Sequence, residues 1–135
     1  MSWWDVVSRK LKRGDILFTP GKGKEELGRK PFDILSITSS SLKIHSGDYP
    51  ISLGRECFDA IEAEYNKNPF ASLRVAAIKE NDPLDGSADK LIREATGSNM
   101  ARGNYVCAIL KHCGVVRYEM QGRRKCIVLN NEEPI

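Results

Sequence analysis

Between Ser87 and Leu129 two helical repeats, separated by Thr96-Gly97-Ser98, run into a pair of alternating segments, and this order constrains the fold more than any other feature. Ala88, Leu91, Ile92 and Ala95 recur at i, i+3, i+4 and i+7, the stripe of a helix with one buried face. Gly97 stands where a left-handed residue ends such a helix. Ser98 or Asn99 supplies the cap of a second helix, whose stripe is Val106, Ile109, Leu110 and Cys113 and which Gly114 closes. Its free side then carries Arg102, Asn104, Cys107 and Lys111, with Tyr105 at the margin. Beyond Gly114 the period falls to two: Val116, Tyr118 and Met120 alternate with Arg117, Glu119 and Gln121. A turn at Gln121-Gly122-Arg123-Arg124 and a return strand from Lys125 to Leu129 complete a β-hairpin.

Charge is concentrated on this stretch. From Asn99 to Asn130 there are six basic residues and one acid, Glu119, although the whole chain of 135 residues carries a net charge of only +3. Residues 1–35 hold 8 basic and 5 acidic groups, residues 36–98 hold 7 and 10, and residues 99–135 hold 6 and 3. Cations gathered on one helix and one hairpin tip suit a single face turned towards a polyanion. The plain alternative is that charge keeps a turn and a strand edge soluble.

The order helix, turn, helix, basic hairpin resembles the winged helix-turn-helix superfamily, strongly over 87–129 and more loosely over 52–130. The resemblance implies that the second helix enters the major groove while the wing lies along backbone or minor groove. Carried over residue by residue, it implies a groove set of Ser98, Asn99, Arg102, Asn104 and Tyr105 and a wing set of Arg123, Arg124 and Lys125, with Lys111 and Arg117 on the same nucleic-acid-binding surface. Arg pairs with guanine O6 and N7, and Asn with adenine N6 and N7. Gly103 departs from the pattern, because glycine within a helix costs roughly 1 kcal/mol relative to alanine. Either the backbone approaches DNA closely there or the helix begins at Asn104.

The expected architecture is α+β: a winged helix-turn-helix with an N-terminal helix and a small β-hairpin subdomain. Residues 1–51 form the subdomain, 52–130 the winged-helix domain and 131–135 a frayed tail. Ser2, with Asp5 three residues on, is a capping box for a helix reaching Leu11 or Arg13 that buries Trp4, Val7 and Leu11. Ile16 to Phe18 is a short strand, and Thr19 to Lys30 a Gly/Lys-rich loop without Walker A spacing, equally suited to a phosphate backbone or to a mobile connector. A hairpin follows over Pro31 to His45, then a helix from Leu53 to about Asn66 capped by Ser52. Residues 72–78 lean to a strand, and 82–86 turn into the helix pair.

Enzymatic chemistry finds no foothold in the pattern. No Asp-x-Lys or Glu-x-Lys pair exists for a metal-dependent nuclease, and two histidines do not make an HNH cluster. His112 lies about 100° or more around a helix from Cys107 and Cys113, so neither thiol has a base beside it. The spacing of these three residues matches no usual zinc pattern. No catalytic residue, metal or cofactor is therefore expected. Lacking an apolar span and a signal-like start, and holding four unpaired-looking cysteines, the chain reads as cytoplasmic, with no membrane partner. The expected function is that of a non-enzymatic double-stranded DNA-binding protein, a transcriptional regulator or a DNA-processing accessory factor. One alternative is a winged-helix protein-interaction module anchored by Trp3, Trp4 or Tyr49. Another is RNA binding, for which the strands lack a stacking platform.

Overall fold

The computed structural model describes residues 1–75 and 86–130. It is α+β, with four helices and two antiparallel sheets among the described residues. Helix α1 (Trp3–Lys10) starts as the sequence predicts, with Ser2 and Asp5 forming a reciprocal capping box. Its buried Trp4 and Val7, with Leu11 beyond its end, face the core.

The next segment is larger than the expected hairpin. Strands β1 (Ile16–Pro20), β2 (Leu27–Ile37), β3 (Ser41–Ser46) and β4 (Tyr49–Gly54) form one four-stranded meander in sequence order. Residues 19–30 are thus mostly strand ends, and the loop proper is 21–26. The Ser52 cap is also replaced. Leu53 pairs with Leu42 and Gly54 with Ser41, so the sheet holds these residues extended and helix α2 (Arg55–Lys67) begins later, at a Gly54 cap without a side-chain bond. Burying Leu53 outweighs the preference of serine for a cap. The expected boundary between residues 51 and 52 consequently falls inside β4.

From α2 onward the elements follow the expected order: β5 (Leu73–Arg74), α3 (Ala88–Thr96), α4 (Gly103–His112), β6 (Val116–Gln121) and β7 (Arg124–Leu129). The second sheet has the order β5-β7-β6. The extended reading of 72–78 holds for its described part; the turn at 82–85 and the tail 131–135 lie outside the described residues. Gly97 ends α3 in the left-handed conformation, with φ 68° and ψ 13°. The β6–β7 hairpin closes through Gln121 opposite Arg124.

One apolar core joins both sheets. Phe32 and Ile44 of the meander, Phe58 and Ile61 of α2, Ile109 of α4 and Ile127 of β7 belong to the same buried cluster. Tyr65 on α2 donates its hydroxyl to the carbonyl of Ile127 at 2.6 Å, tying that helix to the second sheet.

Candidate nucleic-acid interface

The second helix of the pair is set by a residue on the first. The carboxylate of Asp89, fully buried, accepts from the backbone N–H groups of Arg102 and Gly103 at 3.1 Å each. Its other oxygen takes Nε and Nη2 of Arg93 at 3.0 and 2.9 Å. Asp89 thus does for α4 what Ser98 or Asn99 was expected to do, satisfying orphan N–H groups and placing negative charge at the helix start. Ser98 instead accepts from the N–H of Met100 within a connection running from Gly97 to Arg102. Gly103 is explained by the same contact, because a Cβ there would lie 2.9 Å from that of Asp89. The close approach is to α3, and the helix begins at Gly103 itself.

This geometry turns much of the expected groove set inward. Arg102 is only 9% exposed: Nη1 donates to the carbonyl of Ser52 and Nη2 to the hydroxyl of Thr96. Tyr105, also 9% exposed, meets Phe32 edge-on at 5.3 Å and shares a 2.9 Å hydrogen bond with the Ser46 hydroxyl. Cys107, expected on the free side, is fully buried. The meander therefore packs on the helix surface that the sequence pattern leaves free. Asn104 and Ser98 are half-buried and Asn99 is exposed.

Lys111 and Lys125 act within the fold. Lys111 pairs with Glu26 at 3.2 Å, and its ammonium lies 5.9 Å from the ring centre of Tyr118. Lys125 stands 5.2 Å from the same ring and donates to the carbonyls of Gly21, at 2.6 Å, and Glu25. Burial draws its ammonium below the ordinary lysine value, with Glu26 and Glu25 opposing the shift. Lys111 thus holds the 21–26 loop to α4, and Lys125 clasps it onto the wing, about a hundred residues away in sequence.

Through Lys125 the loop that carries Lys22 and Lys24 is joined to the wing. Arg123 and Arg124 stand exposed at the wing tip, and Arg117 is exposed beside Glu119, 3.2 Å from its carboxylate. The mouth of the β1–β2 hairpin forms a cleft of about 530 Å³ lined by the exposed Lys22, Glu25, Arg29 and Lys30. Compared with protein-family models, curated proteins and solved structures, the chain matches none of them.

Lys22, Lys24, Arg29 and Lys30 were visible in the sequence as a Gly/Lys-rich run, but nothing there indicated that Lys125 anchors the loop between the strands. Of the aromatic anchors considered for protein docking, Trp4 is buried against Phe58 and Trp3 packs on Tyr65; Tyr49 alone of the three is exposed. His45 lies 3.3 Å from Asp33 across neighbouring strands.

Proposed function

We propose that this chain is a non-enzymatic, cytoplasmic, double-stranded DNA-binding protein of winged-helix type that holds duplex chiefly by its phosphate backbone. The observation that carries this reading is the exposed cation group of the wing, Arg117, Arg123 and Arg124, to which Lys125 ties the loop that bears Lys22 and Lys24. The element order from α2 to β7 supports the winged-helix assignment. Because the meander covers Arg102 and Tyr105, the surface left for DNA is positioning surface, and phosphate contacts carry affinity without sequence information. Four free, buried cysteines suit a reducing compartment.

The test is a titration of the protein against duplexes of unrelated sequence over a range of salt. Affinity should fall steeply with salt and differ little between sequences. The double variant Arg123→Ala/Arg124→Ala should weaken binding to every duplex and lower the salt slope by about 1 for each phosphate contact removed. An unchanged slope and affinity in that variant would sink the assignment.

A protein-docking role is the second reading. It is favoured by Ile16, Phe18 and Leu27, which are 64%, 38% and 55% exposed along one groove beside α4 and Tyr118. Charged substitutions at Ile16 and Phe18 would then abolish partner binding while leaving DNA affinity intact.

A further inference from the structure

We infer that the cleft at the mouth of the β1–β2 hairpin is a site for a terminal phosphate, the doubly charged group at the end of a nucleic-acid strand or on a free mononucleotide. Three cations, Lys22, Arg29 and Lys30, line it against one acid, Glu25. That surplus matches a phosphate monoester, which carries about −1.5 to −2 charges near neutral pH, better than the single charge of a backbone diester. The shape agrees: about 530 Å³ lies within the roughly 300–1,000 Å³ of small-ligand sites, and a strand end enters such a cleft where a continuous backbone needs an open groove.

The walls are built from close backbone. A Cβ on Gly28 would lie 2.6 Å from the carbonyl oxygen of Thr19, and one on Gly21 would lie 2.8 Å from that of Leu27. Only glycine lets the two sides of the mouth come this near. Lys125 then orients the loop. It draws the carbonyl of Gly21 towards the wing, and in a trans peptide the N–H of the next residue, Lys22, points the opposite way. Three side-chain cations thus line the cleft, and beside them the Gly21–Lys22 peptide has the positive end of its dipole turned from the wing.

The choice of a strand end as carrier rests on the duplex-binding reading; affinity for the phosphate group itself does not. The probes are thymidine 5′-monophosphate and thymidine, followed by one duplex prepared with 5′-phosphate or 5′-hydroxyl ends, all at low salt. The monophosphate should bind saturably by calorimetry and shift amide resonances of residues 19–30, and thymidine should not. The phosphorylated duplex should bind at least tenfold more tightly than its hydroxyl twin. Arg29→Ala/Lys30→Ala, at exposed positions, should erase that ratio and the monophosphate binding. Arg123→Ala/Arg124→Ala should weaken both duplexes equally and keep the ratio. Monophosphate binding without any duplex affinity would overturn the DNA reading and retain the phosphate site. Equal binding of both duplexes together with no saturable monophosphate binding would overturn the site.

Discussion

Replacing Asp89 with alanine should be among the most damaging single changes in the chain. Among the described residues its carboxylate serves four donors: the N–H groups of Arg102 and Gly103 and two nitrogens of Arg93. Losing a helix cap costs about 1 kcal/mol, and breaking a buried ion pair by removing one partner costs about 3–5 kcal/mol. The two effects share one carboxylate and are not strictly additive, so we expect a loss of about 4 kcal/mol. Against a total stability of about 5–15 kcal/mol for an ordinary domain, that is a large fraction. In thermal unfolding it should lower Tm by about 10 °C or more. Asp89→Asn keeps an acceptor for the two backbone groups and loses the charge, so it should recover part of the deficit. A double-mutant cycle with Arg93→Met isolates the pair, and its coupling should be about 2 kcal/mol or more. If Asp89→Ala costs under about 1 kcal/mol in urea unfolding, the carboxylate does not join α3 to α4 and the explanation of Gly103 falls with it.

Other expectations can be checked as directly. Tyr105→Phe strips the partner from the buried Ser46 hydroxyl and should cost about 1–2 kcal/mol in chemical unfolding, without altering DNA affinity. The cysteines should be inert in the native state: burial raises Cys57 and Cys107 and pushes Cys113 up to about 11. At pH 8 a thiol reagent should therefore react slowly before unfolding and with all four thiols after it. Hydrogen bonds from the side chain and then the backbone of Ser2 hold the Asp5 carboxyl below its ordinary 3.8. A depressed carboxyl contributes stability that is complete above that value and lost as pH falls through the folded pKa. Asp5→Ala should thus flatten the acid limb of a plot of urea midpoint against pH and leave a constant difference above pH 5.

What the sequence revealed was local. The Ser2–Asp5 box, the left-handed Gly97, the turn at Gly122 and the switch of period at Gly114 all depend on residues within one turn of each other, and each stands where the pattern puts it. The start of α4 was misread because its cap comes from Asp89, thirteen residues back on another helix. Arg102 and Tyr105 were given to solvent for the same kind of reason: a polar side chain on the face opposite an apolar stripe looks exposed until a second layer covers it. That layer, the four-stranded meander, was itself seen as a short strand and one hairpin, because Tyr49-Pro50 masks the beginning of β4. The loop cations were legible as composition, and the anchoring of their loop by Lys125 was not.

The long reach of Lys125 also sets an order of assembly. The stem of the β1–β2 hairpin pairs with near neighbours and can form early, yet its loop acquires its anchor only after β7 has joined the second sheet. A chain growing from its N-terminus therefore carries the cations of residues 22–30 for about a hundred residues before they are held in place. Wing and loop would then become competent together, at the closing step of folding, so a partly folded chain would present neither as a finished surface.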